Sequence, residues 1–297
     1  MSTETTALSE QAALSETEAL SGTTALSLPK GAANTETIVL KFGGSVLHSQ
    51  ADFERIHSEI HRYRSQNINV IAVVSAFFGM TEQLITQATA KQLSTDSVEF
   101  ATLIASGEFQ SAAALVNFLT QHDLKASCQT PADLEFVAHG ERTKATPTSI
   151  NAVKINSALA QTPVIVVPGF SAVDQHGECV LLGRGGSDIS AVCIAHALGL
   201  ESVRLLKDVN GLYDRDPNKF ANANRLAYVD YATACRIGGE LIQTEAIDFA
   251  ATKSIAIDVA GIGSIKQSRI GPKRSEQTTK VVATTDNVSA NKSLRSA

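Results

Sequence analysis

Short, almost wholly apolar runs rich in Val and Ile recur along the chain, and helical patterns separate them. Two examples are "INVIAVVSA" at residues 68–76 and "TPVIVVPGF" at residues 162–170. A strand with one wet face alternates apolar and polar residues, whereas a continuous apolar strand is buried on both faces. The intervening segment "ADFERIHSEIHRYR" puts Phe53, Ile56 and Ile60 on one side of a helix. The pattern therefore predicts an α/β fold with a mostly parallel sheet covered on both faces.

Further segments fit the same pattern. The predicted strands are "TIVLKF", "SVRLLKDV" and "SIAIDVAG", with a hairpin in "SAVDQHGECVLLG" turning at residues 175–177. A long helical stretch covers residues 97–119, with a candidate break at Gly107. A second helix, "DISAVCIAHALG", ends at Gly199, which suits the position after a helix C-cap. A third helical segment is "DFAATK".

Composition excludes several classes of protein. The 297 residues carry a net charge of −5, so there is no overall attraction to nucleic acid. No apolar run approaches the roughly 20 residues of a membrane helix, and no signal peptide is evident. The four cysteines show neither zinc nor disulfide spacing. These features predict a cytoplasmic protein without nucleic-acid or membrane partners.

The two ends differ from the body of the chain. In residues 1–36 the triplet Ala-Leu-Ser recurs every six residues. Six residues turn a helix by about 600°, so successive leucines do not share a face. We expect a disordered low-complexity leader there, a single folded domain over residues 37–271, and a polar tail without a regulatory domain over residues 272–297.

The stretch "VLKFGGSVL" places a lysine and two glycines at the end of a predicted strand. Gly43 and Gly44 expose backbone N–H groups, Lys41 adds a point charge, and Ser45 follows. Such a loop can approach phosphate oxygens closely. An ordinary strand followed by a glycine turn has the same pattern, so the two interpretations are equally open here.

The stretch "LLGRGGSDISA" inserts an arginine among three glycines before a predicted helix. Ser187 and Asp188 are good N-cap residue types, which accounts for one of them but not for Arg184. An arginine at a helix N-terminus concentrates positive potential, and its guanidinium matches a carboxylate. The loop therefore suits a small anionic substrate.

A third loop, "LLKDVNGLYDRDPNKF", follows a predicted strand. Turn signals lie at residues 210–211 and 216–217. The segment is either a loop rich in turn formers or a nucleotide clamp, with Lys207 near phosphate and Asp208 and Tyr213 near base or ribose.

Taken in order, these segments resemble the amino acid kinase family, most closely the catalytic domain of aspartate kinases. The resemblance covers roughly residues 37–260 and rests on "KFGGSV", "VVSAFFGMTEQL", "ASGEFQSA", "ATPTSI", "VVPGFSAVDQHGECVLLGRGGSD" and "KDVNGLYDRDP". It implies an αβα sandwich that transfers phosphate from Mg·ATP to the side-chain carboxylate of aspartate, giving an acyl phosphate. ATP and Mg²⁺ would be the cofactors, amino-acid biosynthesis the setting, and a homodimer the assembly.

The resemblance also assigns roles by position. Lys41 would bridge the transferred phosphoryl group and Asp188 would organise the charges around it. The implied substrate-binding residues are Ser45, Thr81, Glu108, Arg184, Gly185 and Ser187. The implied nucleotide-binding residues are Gly43, Gly44, Lys207, Asp208, Gly211, Tyr213 and Asp216. No residue is implied as a protein ligand of a metal. A carboxylate nucleophile is ionised at pH 7, so no general base is needed.

One segment departs from the family pattern. Aspartate kinases usually carry a "GAKVLHP"-like segment, but this chain has "GGELIQT", with Glu240 in the lysine position. An anion near a triphosphate is unfavourable, and Lys207 or Lys219 are candidates for compensation. Two alternatives stay open: a kinase of another small carboxylate, and a catalytically weakened regulatory homologue.

Overall fold

The computed structural model describes residues 36–273, except residues 216, 218, 221 and 240. The predicted leader, apart from Glu36, and the predicted tail, apart from Pro272 and Lys273, lie outside these residues. The strands are Thr37–Phe42 (β1), Asn69–Val74 (β2), Ala126–Cys128 (β3), Val137–Glu141 (β4), Lys144–Ser149 (β5), Val164–Pro168 (β6), Ser171–Val173 (β7), Cys179–Leu181 (β8), Ser202–Lys207 (β9), Tyr228–Asp230 (β10), Ala256–Gly261 (β11) and Gln267–Gly271 (β12). The α-helices are Phe53–Arg64 (α1), Met80–Ala90 (α2), Val98–Gln121 (α3), Ala152–Gln161 (α4), Gly186–Ala197 (α5), Tyr231–Ile237 (α6) and Thr244–Lys253 (α7).

Eight of these strands form one sheet in the order β10-β12-β11-β9-β1-β2-β6-β3. All neighbouring pairs in it are parallel except β11 and β12. Lys41 on β1 pairs in register with Val73 on β2 and Leu205 on β9. The carboxyl ends of the central strands therefore meet along one edge, where ligands of such sheets bind.

The side chains of the central strands are apolar on both faces. Val39, Ile71 and Val73 join the core formed with α4, α5 and α7. Their neighbours Leu40 and Ala72 join a second core with α1 and α3 on the opposite face. Burying each large aliphatic side chain contributes about 1.5–3 kcal/mol. This two-sided burial explains the continuous apolar runs and confirms the predicted αβα sandwich.

A smaller sheet of order β5-β4-β7-β8 lies outside the main one. Its strands β7 and β8 are antiparallel and pair Ser171 with Leu181, which confirms the predicted hairpin. Leu181 belongs to a third apolar cluster with Leu84 of α2 and Ile104 of α3. The hairpin thereby leads the chain to the start of α5 beside α2 and α3.

Two local predictions were wrong. Helix α3 runs unbroken through Gly107, where a Cβ would lie 2.9 Å from the Cβ of Ala76. The glycine permits close packing against the end of β2 and does not interrupt the helix. Helix α5 begins at Gly186 after an N-cap at Gly185, which has φ of 70° and no side-chain cap. Glycine adopts that left-handed conformation without strain.

The end of α5 is as predicted. Gly199 follows the C-cap Leu198 with φ of 67°, and its N–H bonds the carbonyl of His196. Among the described residues, no helix is both long enough and apolar enough to cross a bilayer.

Candidate active site

A cleft of about 600 Å³ lies at the carboxyl edge of the main sheet. Nine of the residues predicted from the sequence line it: Lys41, Gly44, Thr81, Glu108, Arg184, Gly185, Ser187, Asp188 and Lys207. They come from the end of β1 and the loop after it, the end of β9, the first turn of α2, the middle of α3, and the loop before α5 with the first turn of that helix. The fold therefore gathers these widely separated segments around one cavity.

A buried carboxylate joins two lysines at the floor of this cleft. Lys41 Nζ lies 2.6 Å from Asp188 Oδ1, and Lys207 Nζ lies 3.6 Å from Asp188 Oδ2. Asp188 is 3% exposed, Lys41 5% and Lys207 8%. Charges this deeply buried are tolerated only when they are paired. Two ammonium groups share one carboxylate, so the cluster has a net positive charge.

The surroundings shift the pKa values of two members of this cluster. Burial alone would raise the pKa of Asp188, but the charges of Lys207 and Lys41 outweigh it and hold that pKa below its usual value. Burial lowers the pKa of Lys207, and the attraction of Asp188 opposes this only in part. Asp188 is therefore ionised at neutral pH and available to orient both ammonium groups.

Glycine leaves the lysine ammonium groups uncovered on the side of the β1 loop. A Cβ at Gly43 would lie 3.0 Å from Lys41 Nζ and 3.8 Å from Lys207 Nζ. Even an alanine would thus crowd the point at which the two cations converge. The loop leaves space there, as the phosphate interpretation of "KFGGS" requires.

Asp188 occupies the first turn of α5, where we had predicted an N-cap for it or for Ser187. The prediction fails because its carboxylate contacts the lysines and not the backbone of its own helix. An anion in a first helical turn still interacts favourably with the helix dipole. Helix α5 therefore positions the carboxylate beneath the cleft.

Two predicted substrate residues have buried polar atoms without hydrogen-bond partners in the described part of the chain. These atoms are Ser45 Oγ and Glu108 Oε2. Nearly all buried polar groups in native proteins are hydrogen-bonded, so the unpaired oxygen of Glu108, which lines the cleft, is available to a ligand. Ser45 itself lies just behind Gly44, outside the cleft lining.

Glu108 projects from α3 into the cleft and is 3% exposed. Burial raises its pKa to about 7, although the backbone of Ala76 and the charge of Lys41 act in the opposite direction. A carboxyl group that ionises near neutrality, with one oxygen unpaired, suits a cationic ligand group. In the sequence, only the family resemblance assigns Glu108 to the substrate, because a single glutamate on a helix carries no specific signal.

Arg184 lies on the loop between β8 and α5 and is exposed at the cleft. It has no ion-pair or hydrogen-bond partner among the described residues. A free guanidinium at the mouth of a cleft is available to a carboxylate. Thr81 and Ser187 complete this wall.

Sequence reasoning missed part of the lining, notably Phe77, Phe78 and Phe170. Phe170 has φ of 70°, a left-handed conformation that is strained for a bulky residue. Its ring packs on Gly186, where a Cβ would lie 2.7 Å from the ring. Phe170 ends the sequence segment "VVPGF", but its backbone conformation is set by the turn into β7 and has no signal in the sequence.

The remaining nucleotide candidates lie in the loop of residues 208–226, beyond the lining of the cleft. Asp208 is exposed directly after β9, and Tyr213 is half-buried in an isolated bridge with Arg225. Gly211 packs against β12, where a Cβ would lie 2.3 Å from Ser268 Oγ. Asp216, like Glu240, lies outside the described residues.

Comparisons with known proteins agree with this geometry. The model of the amino acid kinase family matches residues 36–260. An aspartate kinase of Stutzerimonas stutzeri is 31% identical over 227 residues, which are 75% of this chain and 55% of that protein. An aspartokinase of Helicobacter pylori is 28% identical over 226 residues, again 55% of its length. The chain thus spans about half the length of these relatives.

Solved structures show the same fold. The aspartate kinase of Synechocystis superposes with a TM-score of 0.67 at 25% identity, over 81% of this chain and 40% of that one. Aspartokinase III of E. coli, in complex with aspartate and ADP, superposes with a TM-score of 0.66 at 20% identity. The superposition covers 81% of this chain and 66% of that one. The UMP kinase of Bacillus anthracis superposes with a TM-score of 0.58 at 15% identity, over 80% of this chain and 97% of that one. With its αβα sandwich, its cleft at the strand ends and a family match over most of its length, this chain belongs to the amino acid kinase family.

Proposed function

We propose that this protein transfers the γ-phosphoryl group of ATP to the side-chain carboxylate of aspartate and releases an acyl phosphate. The observation that carries the proposal is the buried Asp188, which holds Lys41 and Lys207 at one point of the cleft. Phosphoryl transfer asks for positioning and charge neutralisation more than covalent chemistry. The cluster of two cations and one anion supplies both.

The cleft offers complementary groups for both ends of an acidic amino acid. Arg184 would hold a carboxylate, and Glu108 would hold the ammonium group. The nucleophile is a carboxylate that is already ionised, so no base has to remove a proton. Lys41 and Lys207 would neutralise the charge that develops on the transferred phosphoryl group and the bridging oxygen.

The similarity to aspartate kinases supports aspartate as the acceptor, although the match covers only 55% of the length of the Stutzerimonas stutzeri relative. Mg²⁺ would fit the site as an ion bound mainly by the phosphates of ATP. No group of three or more metal-ligating side chains exists among the described residues, and the lysines occupy Asp188. Mg²⁺ commonly binds through phosphate oxygens and water with few protein ligands, and it would neutralise triphosphate charge there.

Lys207 bears on the alternative of a weakened homologue. A lysine at the end of β9 places a second cation beside Asp188, so the described part of the cleft supplies two cations for phosphate oxygens. This favours an active kinase over a weakened regulatory homologue. The cytoplasmic location and the homodimer remain predictions within the proposal.

A hydroxamate assay tests the proposal. The protein is incubated with ATP, Mg²⁺, hydroxylamine and a panel of acidic amino acids, because an acyl phosphate reacts with hydroxylamine. Product with aspartate supports the assignment, and product only with another acid reassigns the substrate. No product with any acid, despite bound nucleotide, refutes catalysis.

Arg184→Ala is the matching variant for the substrate assignment. It should raise KM for aspartate while KM for ATP changes little, since in the proposed arrangement Arg184 would contact the amino acid and not the nucleotide. An unchanged KM for aspartate would remove Arg184 from the substrate site.

A further inference from the structure

A fully buried carboxylate lies on the other face of the main sheet, away from the cleft. Glu59 of α1 has no exposed side-chain surface, and its Oε1 lies 2.5 Å from Arg62 Nη2. Its Oε2 accepts a hydrogen bond of 2.9 Å from the N–H of Gly263, in the turn between β11 and β12. Glu59 therefore fixes that turn to α1 through a charge-assisted bond.

Arg204 of β9 holds the same turn from the other side. Its Nη2 donates to the carbonyl of Ser264 at 2.6 Å, and its Nη1 donates to the side-chain oxygen of Gln267. Its Nε lies 3.8 Å from Glu59 Oε1, so the two charges compensate each other between the sheet and α1. Together Glu59 and Arg204 contact the turn before β12 and the first residue of that strand.

The first two residues of β12 in turn hold both arms of the 208–226 loop. The backbone carbonyl of Gln267 accepts a hydrogen bond from Arg225. Ser268 Oγ accepts a hydrogen bond of 2.8 Å from the N–H of Leu212. Arg225 also pairs with Tyr213 across the loop. A continuous chain of contacts thus runs from the buried carboxylate of α1 to the loop.

We propose that Glu59 and Arg204 are positioning residues for the nucleotide subsite. They act through the β11–β12 turn, because the first residues of β12 hydrogen-bond both arms of the 208–226 loop. The inference rests on the proposed function in one respect, the assignment of this loop to the nucleotide. Because Arg184 and Glu108 lie on other elements, the amino-acid subsite is independent of this network.

Two variants test the proposal. Glu59→Gln keeps the shape of the side chain but removes the charge that Gly263 and Arg204 contact. Arg204→Lys keeps a cation beside Glu59 but cannot donate to Ser264 and Gln267 together. The matched control is Asp258→Asn, which breaks a partly buried charge-assisted pair with Arg269 elsewhere in the same hairpin.

ADP binding is measured by calorimetry, and KM for ATP and for aspartate by the hydroxamate assay, at a temperature where circular dichroism shows each variant folded. Both test variants should weaken ADP binding and raise KM for ATP by about tenfold or more, as small misplacements of a binding group do. KM for aspartate should stay within about twofold of the wild type. Asp258→Asn should lower the melting temperature without changing ADP affinity.

Equal losses for ATP and aspartate, or an equal loss of ADP affinity in the control, would reduce the network to a general structural role and overturn the inference. ADP binding is also measured without an amino acid, which separates the two proposals. A wild type that binds ADP but forms no hydroxamate refutes the proposed reaction and still tests the positioning role. A wild type that does not bind ADP overturns both.

Discussion

Replacing Asp188 by Asn removes the one anion that separates two buried ammonium groups. At an effective dielectric constant of about 20, unit charges at the observed separations of 2.6 and 3.6 Å attract by roughly 4–6 kcal/mol per pair. Desolvation offsets much of this attraction, so the measured loss should be the about 3–5 kcal/mol typical of breaking a buried pair. Lys41 and Lys207 would then repel each other across the cleft.

Urea unfolding at several pH values measures this loss. The pKa of Lys207 is already lowered by burial, so its folded state binds fewer protons than the unfolded state, and its contribution to stability rises as pH rises toward the unfolded pKa. Without Asp188 the pKa of Lys207 in the folded protein falls further. The pH range over which stability rises with pH then begins at a lower pH. The stability deficit of Asp188→Asn should therefore shrink as pH rises above neutrality. Turnover should fall by about 100-fold or more, since both cations lose their orientation.

A free energy of unfolding for Asp188→Asn within about 1 kcal/mol of the wild type at neutral pH would refute the reasoning. A loss that small is typical of a surface ion pair and not of a buried one. A deficit that does not change with pH would refute the reasoning as well. Normal turnover in a folded variant would mean that Asp188 does not organise the lysines.

Three further variants test other parts of the structure. Glu108 has a pKa of about 7, so KM for aspartate should fall by about tenfold between roughly pH 6 and pH 8 as the carboxylate forms, and Glu108→Gln should abolish that dependence. The raised pKa also means that Glu108 stabilises the fold below its unfolded pKa of 4.5 and that this contribution is lost as pH rises through about 7; urea titrations of Glu108→Gln should lack this slope. Gly107→Ala, with its Cβ 2.9 Å from Ala76, should lower stability by about 1–3 kcal/mol in thermal unfolding despite the better helix propensity of alanine, and an increase would show that α3 can move away. Gly211→Ala, with φ of 133° and a Cβ 2.3 Å from Ser268 Oγ, should weaken ADP binding in calorimetry while leaving the KM for aspartate unchanged; wild-type ADP affinity would count against the packing described for this loop.

The main features of the fold could be predicted from the sequence because two-sided burial leaves a direct trace in it. Strands such as β2 and β6 must be apolar at every position, and helices such as α1 must be apolar on one face. The short strands β3 and β4 carry no such trace, since their pairing depends on neighbours supplied by distant segments. Element type was therefore predictable where burial was complete, and not at the periphery.

The sequence by itself determined the sandwich and the glycine loops at the ends of its strands, since periodicity and glycine spacing are local properties. Only the tertiary structure decided that Asp188 contacts Lys41 and Lys207 instead of capping its own helix, that Gly107 permits close packing, and that Glu108 is buried with a raised pKa. The physical reason is that burial and charge pairing depend on which distant side chains meet. The residue type at a position determines which chemical groups are present there. The surrounding fold determines their exposure to water, their partners and their charge.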